Sequence, residues 1–208
     1  MMRGGPGAWS GGNGLAVADS TRRVVSREQV VHGACRFFLR HGEVDMDGVA
    51  RSLAISRATL YRVVHSRDGL LGDVLWRLGE RQLAQARLRR RNGGVEGVLE
   101  ITRHFVDRLR GAAPFRAFLR GEPETAARVL FNGSGAVHRR AVSAQKQILL
   151  EVPGEWCAGP LDQVAFLYVR IVESAIYAEL LGGHPLDPDL AERAARSVLL
   201  PRRPTATG

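Results

Sequence analysis

The chain has 208 residues, 45% apolar and 25% charged, which suffices to bury a core in one or two domains and excludes a wholly disordered chain. Its two cysteines, Cys35 and Cys157, exclude a disulfide scaffold and a four-thiolate zinc site, and no apolar run reaches the roughly 18 residues needed to span a bilayer. The formal charge of +9 is unevenly placed: residues 1–92 hold 16 Arg against 8 acids, a net of +8, whereas residues 93–208 hold 13 Arg and 1 Lys against 13 acids, a net of +1. A basic first half suggests an anionic partner, with nucleic acid the leading candidate. A GC-rich genome would explain arginine over lysine, but not why the charge collects in one half. Without a secretory apolar segment near the start, the expected setting is the cytoplasm, with no membrane partner.

Residues 1–25 hold six of the 24 glycines and few large apolar side chains, and are expected to form a disordered arm. Ser26-Arg27-Glu28-Gln29 is a capping box. Val30, Val31, Ala34, Phe37 and Phe38 follow at helical spacing, and Gly42 supplies a left-handed stop. The pattern predicts short helices over 46–53 and from Ser56 to about 64, and a long one from Ser66 to about 91. Further helices are expected at 95–109, 135–151, 161–181 and 187–200, with a broken stretch around Pro114, Gly121 and Pro123. Residues 201–208 look like a frayed tail. No alternating strand pattern exceeds four residues, so the fold class is all-α.

The sharpest signal is DMDGVARSLAISRATLYRVVHSRDGLL at 45–71. A short helix, a tight turn and a second short helix precede a long one, which is the layout of a helix-turn-helix. Val49, Ala50, Leu53, Ile55, Leu60, Val63 and Val64 can form its small core. With Ser56 as N-cap, Arg57, Ala58, Thr59, Tyr61 and Arg62 project from the N-terminal turns that would enter a major groove. Arg67 opens the long helix, where its charge and the free N–H groups could meet a phosphate. Arg57 suits a base or phosphate contact, Thr59 a thymine methyl or phosphate, and Tyr61 both packing and a phosphate oxygen. Each can also be read as an ordinary solvated or packing residue.

These residues resemble the TetR family of bacterial transcriptional regulators. The match lies in Val49-Ala50, Ile55-Ser56, Ala58-Thr59-Leu60-Tyr61, Ser66-Arg67 and Leu70-Leu71, and covers about residues 26–75. Ala54 stands where the family usually has Gly, Val64 where an aromatic is usual, and Arg67 where Lys is usual. The segment Val169 to Ala178, with Gly182-Gly183 after it, resembles a subgroup that regulates quorum-signal degradation. The resemblance implies a DNA-binding head at 26–66 and a helical regulatory and dimerisation domain at 67–200. It also implies a homodimer on a double-stranded DNA operator, released by a small effector.

The 161–181 segment is apolar on two stripes, Val164, Leu167, Tyr168, Ile171 and Ala175 on one, and Phe166, Val169, Val172, Ile176 and Leu180 on the other. A helix apolar on two faces must be covered twice, either by its own bundle and a second subunit or within one monomer. The resemblance implies the former, with the second stripe as dimer contact. Arg170, Glu173 and Tyr177 form a polar seam at i, i+3, i+7, which can be an internal ion pair, a dimer contact or a ligand contact. His104, Phe105, Phe118 and Phe131 are further pocket candidates, each also readable as core or boundary. The expected effector is mostly apolar with one polar group.

Enzyme signatures are missing: there is no Walker A, GxGxxG, GxSxG or HExxH motif, and the six histidines show no metal-ligand spacing. Neither a metal nor a cofactor is expected. The rival to a DNA-binding regulator is a helical carrier of apolar ligands, or a partner-binding bundle without DNA affinity.

Overall fold

Ser26 begins the first helix as its sequence predicts. Its hydroxyl accepts the Gln29 N–H at 3.2 Å while the Gln29 side chain accepts the Ser26 N–H at 3.0 Å, so two end groups of the helix are satisfied reciprocally. The computed structural model describes residues 25–131, 136–156, 159–178 and 186–200. The expected arm, apart from Val25, the tail at 201–208 and Leu180 lie outside them. Among the described residues there are ten helices and no strand.

The first four helices are α1 (Arg27–His41), α2 (Met46–Ser52), α3 (Arg57–Val64) and α4 (Arg67–Arg89). Gly42 ends α1 at φ 73°, and its N–H returns to the Phe38 carbonyl. Asp45 caps α2 by accepting the Gly48 N–H at 2.7 Å, Ser56 caps α3 through the Thr59 N–H, and Ser66 caps α4 through the Gly69 N–H. A Cβ on Gly48 would lie 2.5 Å from the Phe37 ring, so α1 and α2 approach closely because that side chain is missing. The turn between α2 and α3 passes through Ala54 at φ 53°, the left-handed conformation that glycine adopts more easily.

The body comprises α5 (Gly94–Gly111), α6 (Ala113–Gly121), α7 (Pro123–Phe131), α8 (Ala136–Glu151), α9 (Leu161–Ile176) and α10 (Pro188–Leu199). The stretch that reads as broken in sequence is two short helices. Pro114 and Pro123 sit in their first turns, where proline's missing N–H has no helical partner to lose. Glu100 of α5 accepts the backbone N–H groups of Arg91 and Asn92 at 3.0 and 3.1 Å, closing the α4–α5 connection.

Two cores result. One joins Phe38, Val49 and Leu60 of the head and Leu70 and Leu71 of α4 to Phe115, Phe118 and Leu130 of α6 and α7. The other packs Val98, Ile101, Ile148, Leu149, Val164, Tyr168 and Leu199 of the body. Helix α4 contributes Leu70 and Leu71 to the first and Ala86 to the second, so it is a strut shared by both. Packing therefore runs past residue 66, and α6 and α7 are the floor on which the head sits.

Candidate nucleic-acid interface and internal cavity

Helix α3 presents its first two turns outward. Arg57 and Ala58 are exposed, as is Arg62, while Thr59 and Tyr61 are half-buried and Leu60 is fully buried beneath them. The Ser56 and Thr59 hydroxyls lie 2.9 Å apart, so Thr59 shares in the cap. The Arg57 guanidinium reaches Asp47 at 3.1 Å and lies 5.5 Å from the centre of the Tyr61 ring. Hydrogen bonding to Tyr61 and the charge of Asp47 stabilise its protonated form and raise its pKa further. Arg57 and Asp47 are both exposed, so Arg57 can exchange this partner for a base edge or a phosphate.

Arg67 is placed differently from the sequence expectation. Its Nε donates to the Val44 carbonyl at 2.7 Å and its guanidinium pairs with Glu122 at 2.6 Å. Two of its three guanidinium nitrogens engage the junction between head and body, because the residue that completes the bridge comes from the turn between α6 and α7. Two further bridges join the same parts. Asp68 pairs with Arg128 of α7 at 2.7 Å, and Asp73 of α4 holds Arg27 of α1 at 2.7 Å and Arg140 of α8 at 3.0 Å.

Within the body a cavity of about 550 Å³ lies between α4, α5, α8 and α9. Its walls are mostly apolar, with Leu75, Phe105, Phe115, Val172 and Tyr177 among them. Exposed lining residues such as Leu39, Asp107 and Arg108 mark its open side, where Arg108 donates to Gln82 at 3.1 Å. Inside, the Tyr168 hydroxyl meets Thr102 Oγ1 at 2.6 Å. Burial pushes the Tyr168 and Tyr177 hydroxyls well above their usual pKa, with Glu173 adding to the effect at Tyr177.

Three of the sequence candidates, Phe105, Glu173 and Tyr177, line this cavity. Phe131 stands behind it, edge-on to Tyr177 with 4.6 Å between ring centres. Phe118 packs instead against Phe38 in the head core, 5.9 Å between centres. His104 is not on the cavity wall and faces Glu100 at 3.9 Å. Arg170 lies on the outer side, 3.1 Å from Glu173 and 5.5 Å from the centre of the Phe166 ring. The second stripe of α9 is divided: Val169, Val172 and Ile176 turn to the cavity, and Phe166 is 47% exposed. Leu167, from the first stripe, is also exposed. The outer apolar face of α9 is thus Phe166 and Leu167, one residue from each stripe.

Two polar residues escaped the sequence reading. His138 of α8 is buried, its Nδ1 2.9 Å from Glu173 Oε1. Gln145, also of α8, is 7% exposed and lines the cavity. Val137, Ala141 and Gln145 recur at i, i+4, i+8 on one cavity-facing stripe. A polar residue at the third position of that apolar stripe was the available signal.

The geometry has counterparts among known proteins. Residues 93–200 match the family described as the tetracyclin repressor-like C-terminal domain. The solved structure of the R. erythropolis transcriptional repressor QsdR, from the TetR family, shares 26% identity, covers 85% of this chain and 96% of its own, and superposes with a TM-score of 0.77. A TetR-family transcriptional regulator from Streptomyces coelicolor is 21% identical over 83% of this chain and 78% of its own, with a TM-score of 0.45. A search of curated proteins returns no match.

Proposed function

The chain belongs to the TetR family of transcriptional regulators, and from that premise we propose that it is a repressor that binds a palindromic operator in double-stranded DNA as a two-fold dimer and is released by a small apolar effector. The observation that carries this reading is the outward N-terminal end of α3, capped by Ser56 and seated by Leu60 on α1 and α4. In a helix-turn-helix that end enters the major groove. Arg57, Ala58, Thr59, Tyr61 and Arg62 are the reading and phosphate-holding residues. Arg67 serves by fixing the head on α6 and α7 rather than by touching phosphate.

The cavity is the effector site, with Phe105, Glu173 and Tyr177 in its wall and Phe131 behind. The dimer forms on the outer side of α9 and α10, where Phe166 and Leu167 of α9, Leu190 of α10 and Leu200 just past its end are each 47–49% exposed. Val169, Val172 and Ile176 support that face from the cavity side. Among the described residues, no helix is long and apolar enough to cross a membrane.

Fluorescence anisotropy with the DNA upstream of the protein's own coding sequence, over a salt series, tests the reading. A complex that resists competition by random DNA and weakens steeply with salt is expected. Affinity no better than for random DNA contradicts it, and favours a carrier or partner-binding bundle.

A further inference from the structure

We infer that Asp47 of α2 is a positioning residue for DNA reading: it holds the Arg57 guanidinium by one nitrogen and leaves the opposite edge, Nε and Nη2, to recognise guanine. The inference rests on the reading of α3 as the helix that enters the major groove.

Asp47 lies in the first turn of α2, where a carboxylate suits the positive end of the helix. Its Oδ2 accepts from Arg57 Nη1 at 3.1 Å, across ten residues of sequence. On its other side the Arg57 guanidinium carbon lies 5.5 Å from the centre of the Tyr61 ring. The side chain that opens α3 is thus held between a carboxylate of the preceding helix and an aromatic ring one turn further along. Of the two arginines of α3, Arg57 and Arg62, only Arg57 has a carboxylate partner among the described residues.

A carboxylate beside a DNA-reading surface works against general affinity, because it repels the phosphates that every sequence presents. What it adds is discrimination. A free arginine swings on a long stem between base edges and phosphate, and ordering it on binding costs about three- to tenfold in affinity. Asp47 removes part of that cost and narrows the choice. With Nη1 tied to Asp47, the Nε and Nη2 hydrogens form a second planar edge, and neither nitrogen has a partner among the described residues. Two parallel donors match the O6 and N7 acceptors of guanine in the major groove. Adenine presents N7 but a donor at N6, so the same edge cannot pair with it twice. Reading a base in this way needs no exchange of Asp47. An exposed pair of this kind adds little to folding stability, so its effect belongs to DNA binding.

Selection of bound duplexes from a randomised pool tests this, with titrations of the selected site and of random duplex. The unaltered full chain is expected to enrich one site containing a guanine that Arg57→Ala no longer requires. Asp47→Ala is expected to weaken the preference for that same guanine about three- to tenfold, while binding random duplex at least as tightly, because a negative charge is gone. Asp47→Ser replaces it if the alanine variant does not fold. Asp47→Asn keeps an oxygen that can accept from Arg57 and is expected to retain the preference. If the truncated variant leaves the guanine preference intact, if Asp47→Asn loses it equally, or if no enriched guanine depends on Arg57, the inference falls while the reading of α3 stands. The same holds if the truncation relaxes a cytosine or adenine position and spares the guanine, since Asp47 then reads a base itself. If the unaltered protein enriches no site, both fall.

Discussion

Ala54 holds a left-handed backbone at φ 53° in the turn of the helix-turn-helix, where its N–H meets the Arg51 carbonyl at 3.1 Å. An L-residue pays roughly 1–2 kcal/mol for that conformation, and replacement by glycine returns part of it to chain entropy. Ala54→Gly is therefore expected to stabilise the protein by about 0.5–1 kcal/mol in urea denaturation with operator affinity unchanged. Arg57 and Arg67 separate two further effects. Arg57→Ala is expected to lower the preference for operator over random DNA by about ten- to hundredfold, if the lost contact is bidentate to guanine. Arg67→Ala is expected to cost about 1–2 kcal/mol of stability, because it breaks the link to Val44 and Glu122; the salt slope of DNA binding should stay the same. If Arg67→Ala instead flattens that slope by one unit, the side chain meets phosphate after all. The junction partners of Arg67 were hidden from the sequence for a legible reason. Its place at the start of α4 is visible in sequence, but its carboxylate partner is 55 residues away. A separation of 35 residues likewise hid His138 from Glu173, whereas local caps such as Ser26 with Gln29 needed only three residues to be recognised.

Helices with strong local signals were readable from their ends, as α1, α3 and α4 show. Helices α6 and α7 were not, because Pro114 and Pro123 punctuate a helical stretch whether they end a helix or begin one. The two apolar stripes of α9 were also readable, but which neighbour covers each depends on a cavity that sequence does not display. Three helix ends are tied by carboxylates whose pKa is held below the ordinary range. Arg128 of α7 does this for Asp68 in the first turn of α4, and Arg196 of α10 for Glu96 in the first turn of α5. For Glu100 of α5 the cause is first the Arg91 N–H and then that of Asn92. Each is protonated more easily in the unfolded chain than in the folded one. Their contribution is complete above the unfolded carboxylate pKa and is lost as pH falls through the lower folded values. Urea midpoints measured downward from neutral pH should fall in that acid range, and less steeply in Glu100→Gln; an identical acid slope would show that its backbone contacts do not persist in solution.

At the level of the whole molecule, α4 is the element that would carry the proposed coupling. Its first turns lie in the core shared by the head, α6 and α7, its middle walls the cavity, and Asp73 binds it to both α1 and α8. A ligand that moves this strut changes the separation of two α3 helices, which must lie about 34 Å apart to enter successive turns of one DNA face. A bias of about 2.7 kcal/mol between the two strut positions would reduce the DNA-competent population by up to about 100-fold. The proposed dimer rests on the outer face of α9. Charging it with Phe166→Glu and Leu167→Glu is expected to give monomers by sedimentation and to weaken operator binding. A double variant that remains dimeric would move the interface elsewhere.

The central claim is that two copies of this chain read one palindromic site through α3. Sedimentation velocity of the protein with a labelled fragment of its own upstream DNA, footprinted to locate the site, measures this directly. The account predicts a saturating complex of two protomers on one protected palindrome, lost in Arg57→Ala at the same salt. A single protomer at saturation, or uniform coating of the fragment without a protected site, would contradict it.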